Sequence, residues 1–287
     1  MQPILTKLRL YWPLIKSLQT GLLLSTGLAG YMSARCPVTH WTTLLALTGS
    51  LFLAISGSTV LNMWYDRDID SKMKRTHARP LASGRIDPQE ALRLGLVFSV
   101  AGVAWAVAIQ PRYGIVVFAG LFFDVVIYTM WLKRRTPWSI VWGGISGGMP
   151  ILAGRVLGIG GLDWVGIALA CSVLFWIPTH IMTFNMKYHD QYAAAGVPTF
   201  PSAYGFAFSR MAIALSSAVA VLVTGIAAFG IGMTWGYLRL LAVLSAGLLT
   251  LAVISIVRPS ERLNFGLFKY ASVYMLSSMA LFVAHGV

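Results

Sequence analysis

Nine apolar runs, at 17–35, 42–64, 91–109, 114–132, 138–159, 165–186, 207–230, 234–257 and 266–286, succeed one another from end to end of this sequence. Each is close to the roughly 20 residues that a helix needs to cross the hydrocarbon core of a bilayer. In lipid a backbone must satisfy its own N–H and C=O groups, so runs of this length are helices. The expectation is an all-α polytopic membrane protein of nine transmembrane helices, a single membrane-embedded domain over 1–287 whose first helix is retained rather than cleaved. With 57% hydrophobic and 11% charged residues there is too little polar surface to clothe a soluble fold of this size. The run at 138–159 is the weakest, because Gly143, Gly144, Gly147, Gly148, Pro150 and Gly154 interrupt it. Membrane helices carry such residues where neighbours pack against them.

Charge then orients the bundle. A net charge of +13 would suggest nucleic acid in a soluble chain, but here the cations set topology. With the N-terminus inside, the inward segments hold 18 of the 22 Lys and Arg residues, and Arg35, Arg112, Arg155 and Arg239 remain near the outward connections. That bias fits a cytoplasmic N-terminus and an outward C-terminus, and so an odd number of spans. Asp87-Pro88-Gln89-Glu90 reads as a capping box with proline in the first turn, and Thr136-Pro137 as the opening of the fifth helix. Seven of the ten tryptophans, among them Trp12, Trp41, Trp164 and Trp235, fall near span ends as an aromatic belt. Cys36 and Cys171 have neither disulfide nor zinc spacing. The two long inward connections, 65–90 and 187–206, are where function is to be sought.

The first of these opens with Asn62-Met-Trp-Tyr-Asp66-Arg-Asp-Ile-Asp70. Positions i, i+4 and i+8 on a helix drift by only about 40° per step, so three oxygen-bearing side chains share a stripe roughly 12 Å long. Hard Mg²⁺ ions take carboxylate and amide oxygens together with substrate phosphates, and such a stripe suits a diphosphate clamp. The plainer alternative is that these acids offset Arg67, Lys72, Lys74 and Arg75 in a solvated loop. Three aligned oxygen residues at the end of a membrane helix favour the functional reading. Arg79, Lys133, Arg134 and Arg135 fall on the same face and could hold the leaving diphosphate, although positive-inside bias alone also produces such a cluster.

These residues resemble the UbiA-type intramembrane prenyltransferase superfamily, whose pattern is N-x-x-x-D-x-x-x-D on the second helix and a second acidic loop after the sixth. The extended string through Lys74-Arg75-Thr76 and Arg79-Pro80-Leu81, with Tyr128-Thr129 to Lys133-Arg134-Arg135-Thr136-Pro137, is similar to the branch of that superfamily that farnesylates heme. A third block runs from Trp176-Ile-Pro178-Thr179-His180 to Asp190-Gln191-Tyr192 and Gly196-Val197-Pro198. There Thr179 and Gln191 stand where the family usually shows a second proline and a second acid. The resemblance implies helices bundled around a central cavity that faces the cytoplasm of a bacterial or archaeal plasma membrane. It implies farnesyl diphosphate and heme B as substrates, Mg²⁺ as cofactor and hydroxyethylfarnesyl heme, heme O, as product. It assigns Asn62, Asp66, Asp70 and Asp190 to metal, with Arg79, Lys133, Arg134 and Lys187 to the diphosphate.

His180 lies near the inward end of the sixth run; the resemblance implies contact with heme, and the alternative is a hydrogen-bonded core histidine. Asp124 is the one acid within an apolar run and must face the bundle, either as a polar partner or toward substrate. The glycines of 138–159 serve close packing, or make room for a planar macrocycle. Another acceptor, such as a quinone precursor, chlorophyllide or lipid, is compatible with the same stripe. A different class, an ion-coupled transporter, would scatter its acids at mid-depth, whereas five of the nine acids here gather at 65–93.

Overall fold

The computed structural model describes residues 9–34 and 40–286, so Lys7, Arg35 and Cys36 lie outside the described residues. A short 3₁₀ turn, Trp12–Ile15, leads into α1 (Ser17–Met32). The long helices that follow are α2 (Trp41–Tyr65), α4 (Pro88–Ile109), α5 (Pro111–Leu132), α6 (Ser139–Ile159), α7 (Trp164–Lys187), α9 (Phe200–Ile231), α10 (Trp235–Val257) and α11 (Glu261–Gly286). Two helices of one to two turns, α3 (Arg67–Lys72) and α8 (His189–Ala194), lie in the long connections. Among the described residues eight helices are long and apolar enough to cross a membrane. The ninth expected span is α1, whose 16 residues give a rod of about 24 Å, less than the roughly 30 Å hydrocarbon core.

Several local expectations shift. Pro88 does open α4, but the Asp87 side chain makes no capping bond and Glu90 instead accepts the Tyr11 hydroxyl at 2.5 Å. The helix after Thr136-Pro137 starts at Ser139, because those two residues form a turn first. The run read as 207–230 belongs to a helix that begins at Phe200 and breaks its geometry at Gly205, where φ is 78° and ψ 170°. Only glycine adopts such a backbone freely, and α9 kinks there. At the opposite membrane face Asp163 caps α7 by accepting Gly166 N–H at 2.9 Å, while Arg155 donates to Asp163 and to the Ser33 carbonyl.

The helices pack as a ring in the order α1, α2, α4, α5, α6, α7, α9, α10 and α11, closing on α1. Three cross-links, α1 against α6, α7 against α11 and α2 against α5, pinch it. The α1–α6 crossing is a contact of backbones: a Cβ built on Gly154 would lie 1.9 Å from the Gly27 carbonyl oxygen, and one on Gly30 1.9 Å from that of Ile151. Gly148 faces the Ala170 carbonyl of α7 in the same way, so packing accounts for part of the glycine run. Gly143 and Gly147, set against the side chains of Tyr128 and Ile177, also line a cavity of about 700 Å³. Its walls come from α1, α2, α5, α6, α7 and α11 and are mostly aliphatic and aromatic. The ring's outside is apolar in the way lipid contact requires, with Val243 71% and Phe229 81% exposed, and exposed Trp12, Trp41, Trp164 and Trp235 at helix ends.

Candidate active site

The stripe survives the break between α2 and α3. Asp66 joins the two helices, yet the bonds Asp66 N–H to Asn62 carbonyl, 3.0 Å, and Asp70 N–H to Asp66 carbonyl, 2.8 Å, carry the i+4 row across the joint. Asn62, Asp66 and Asp70 therefore stay on one face, and all three are buried. Leu51 to Thr59 of the same helix line the cavity, so the stripe starts one turn beyond the cavity wall.

Each member of the stripe meets a cation, two of them from distant segments and one from nine residues on. Lys16 donates to Asn62 Oδ1 at 3.1 Å, Lys133 pairs with Asp66 Oδ2, and Arg79 reaches Asp70 Oδ2 at 2.7 Å. Arg134 makes two bonds, 2.7 and 2.8 Å, to exposed Asp68, one to the Tyr65 carbonyl, and comes within 3.9 Å of Asp66 Oδ1. Four cations thus face three carboxylates, leaving a positive surplus for a polyanion. The Arg134 fork holds the Asp68 carboxyl below its ordinary range. Burial, then repulsion from Arg79 and Lys133, lowers the Lys16 ammonium to about 8. Lys16 is also a non-glycine residue in left-handed backbone, φ 44°, the conformation that turns the chain from the 3₁₀ turn into α1.

The residues fit a hard divalent ion. Asp66 Oδ1 is buried without a hydrogen-bond partner, an acceptor that a cation would satisfy. Carboxylate and amide oxygens are the donors such ions prefer. In the described residues no three acidic, His or Cys side chains converge. Asp190 is one reason: it lies exposed on α8, while its neighbour Gln191 accepts Arg75 N–H at 3.1 Å and ties the two long connections together. A small cluster of Ile69, Met73 and Val197, with Tyr192 against it, seals that contact.

Of the residues expected from sequence, Asn62, Asp66, Asp70, Arg79, Lys133 and Arg134 come together. Lys187 stands apart, exposed, with its ammonium 3.5 Å from the centre of the Phe265 ring. His180 lies on the cavity wall, stacked between Trp176 and Phe268 with centroids 4.9 and 4.4 Å away, its Nδ1 3.2 Å from Ser272 Oγ. Thr179 bonds Ser217 at 2.8 Å, so the hydroxyl that replaces the family's proline links α7 to α9. Lys16 and Thr129, which accepts Asn62 Nδ2–H at 2.8 Å, were not singled out from sequence. Lys16 carried a signal, a cation directly before the first apolar run, but it was counted only toward topology.

A ring of membrane helices that sets a cation-lined oxygen stripe beyond an apolar cavity has the chemistry to receive an anionic headgroup above an apolar tail. The chain belongs to the UbiA prenyltransferase family, whose model matches residues 23–273. It is 41% identical over 74% of its length to the protoheme IX farnesyltransferase of Archaeoglobus fulgidus, covering 74% of that relative. It is 36% identical over 93% of its length to the protoheme IX farnesyltransferase of Aeropyrum pernix, covering 88% of it. A structure of digeranylgeranylglyceryl phosphate synthase superposes over 98% of this chain and 99% of that one with a TM-score of 0.80 at 19% identity. A UbiA homolog from Archaeoglobus fulgidus bound to GPP and Mg²⁺ shares the fold with a TM-score of 0.72 at 17% identity, over 96% and 99% of the two chains. Membership in a transferase family sets aside the ion-coupled transporter.

Proposed function

We propose that the chain transfers the farnesyl group of farnesyl diphosphate to a vinyl group of heme B, the reaction of the protoheme IX farnesyltransferases it is related to. The observation that carries the reading is the stripe of Asn62, Asp66 and Asp70, each faced by a cation, set against an apolar cavity. Asn62, Asp66 and Asp70, with Asp190 brought in by a small movement of α8, would hold Mg²⁺. When bound, that ion supplies positive charge to the leaving diphosphate. Lys133, Arg79 and Lys16, released from the stripe, would donate to diphosphate oxygens, with Arg134 bracing the joint and Lys187 capturing the anion at the rim. The cavity would bury the isoprenoid away from water, and His180, between Trp176 and Phe268, would meet the macrocycle or a propionate. In this reading α1 is the ninth crossing, shortened where it meets α6, and the stripe faces the cytoplasm.

Purified protein supplied with heme B, farnesyl diphosphate and Mg²⁺ is expected to yield hydroxyethylfarnesyl heme by mass spectrometry. Well-folded protein that forms no farnesylated heme would exclude the reading. A second acceptor class has one observation behind it: the same fold serves a digeranylgeranylglyceryl phosphate synthase. Competition by a quinone precursor, chlorophyllide or prenyl-accepting lipid tests it.

The resting contacts lead to a linkage. Every metal-ligating residue of the stripe is engaged by a cation, so bare metal must displace a partner, whereas a metal–diphosphate complex gives that cation a new one. Calorimetric titration should show Mn²⁺ with diphosphate binding at least about tenfold more tightly than Mn²⁺ alone, on the order of 1.4 kcal/mol. Equal affinities would mean that the cations do not guard the stripe.

A further inference from the structure

We propose that Asp124 is the base of the final step, taking the proton of the water that adds to the prenylated substrate, with Ser58 as its positioning residue. The inference rests on the farnesyl-to-heme reading above.

Asp124 and Ser58 both line the cavity. The Ser58 hydroxyl donates to Asp124 Oδ2, and among the described residues no donor meets Oδ1. Ser58 lies four residues before Asn62 on α2, so the i+4 row of the stripe continues inward as Ser58, about 6 Å deeper. Asp124 is thus set where the headgroup site passes into the apolar cavity. Its register is fixed from the other side as well. The second half of α5, Phe123–Leu132, is π-helical, and Thr129 Oγ1 both donates to the Asp124 carbonyl at 2.7 Å and accepts from Asn62 at 2.8 Å. One hydroxyl therefore ties the backbone of Asp124 to the first residue of the clamp. π-Helical turns are costly and recur at functional sites.

A plain structural role explains this residue poorly. A carboxylate at membrane depth costs several kcal/mol, and among the described residues no Lys, Arg or His comes within ion-pair distance of Asp124, Lys16 and Lys133 acting on it only from farther away. A Ser58 hydroxyl needs no carboxylate partner, since serine in a helix readily bonds a carbonyl of its own preceding turn.

The chemistry needs what Asp124 offers. The bond between farnesyl C1 and the diphosphate oxygen breaks, and its electron pair leaves with the diphosphate. The terminal vinyl carbon forms the new C–C bond, leaving positive charge on the inner vinyl carbon. A water oxygen bonds to that carbon, and one water proton passes to the Asp124 carboxylate. Without a base for water, the cation can instead lose a proton from the adjacent carbon and give an alkene lighter by one water. A carboxylate beside the headgroup site also stabilises the developing cation.

The test is the ratio of hydroxylated to dehydrated farnesyl heme, read by mass spectrometry on the full-length protein with heme B, farnesyl diphosphate and Mg²⁺. The hydroxylated form should dominate in the unmodified protein. Asp124→Asn should lower the hydroxylated share at least about tenfold in whatever product forms. Asp124→Glu should restore part of it, and Ser58→Ala, which frees Oδ2 to turn away, should fall between. An unchanged ratio in Asp124→Asn overturns the proposal, as does a proportional loss of both products that Asp124→Glu shares. Where Asp124→Asn does not fold, unchanged ratios in Asp124→Glu and Ser58→Ala overturn it equally. If the unmodified protein makes no farnesylated heme at all, the parent reading falls, a result distinct from an unmoved ratio.

Discussion

Asp66→Asn is expected to lower prenyl transfer by about 10²- to 10³-fold, the loss typical of removing one preorganised electrostatic partner from a reacting centre. The effect exceeds that of any other single change at the site because Asp66 holds two positions at once. Its Oδ2 engages Lys133, and its Oδ1 is buried without a hydrogen-bond donor, an acceptor that a metal would satisfy. Asparagine keeps the shape but brings an N–H₂ group toward Lys133 and no negative charge for a divalent ion. The fold should persist, since the Lys133 side chain is 19% exposed and can rotate toward water. Steady-state product formation, read beside the thermal midpoint of the detergent-purified protein, checks both halves. An active Asp66→Asn protein would remove Asp66 from the metal site, and a collapsed one would make it a folding residue.

Gly154→Ala is expected to have the largest effect on stability, on the order of 3 kcal/mol or more. The new Cβ would lie 1.9 Å from the Gly27 carbonyl oxygen and 2.8 Å from the Tyr31 nitrogen, both backbone atoms that no rotamer change can move. Relief requires α1 and α6 to separate, and those helices close the cavity between them. Gly225→Ala is the control. Gly225 sits on the outer face of α9 with nothing within 4 Å of a built Cβ. Alanine there should be neutral or stabilising by up to about 1 kcal/mol, because glycine loses more freedom on entering a helix. Thermal midpoints of the two variants should move in opposite directions or by very different amounts, and equal shifts would refute the backbone-contact account of the crossing.

Much of the site could be read locally. The spacing of Asn62, Asp66 and Asp70 is a property of one helix, and it held even where the helix changes name at Asp66, because the i+4 bonds cross the joint. That Arg79, Lys133 and Arg134 would fall at the same end of the bundle as the stripe was equally legible, since charge near a helix end is counted along the chain. What each cation does was not. Lys16 meets Asn62 across 46 residues and Lys133 meets Asp66 across 67, contacts set by how helices pack. Asp190 shows the converse: its motif is recognisable, but α8 leaves the carboxylate exposed.

By itself, then, the sequence determined that this chain lives in lipid, that it is built of long apolar helices and where an oxygen stripe meets a basic face. Those are periodic or additive properties, carried by neighbours along the chain. The closed ring and its cavity, the pairing of Asn62 with Lys16 and of Asp66 with Lys133, and the inward turn of Asp124 beside Ser58 were decided only in the tertiary structure. An apolar run looks the same from every side until its glycines and polar residues choose which face a neighbour may approach. That choice is made by close packing between helices, to which the pattern along any one of them is blind.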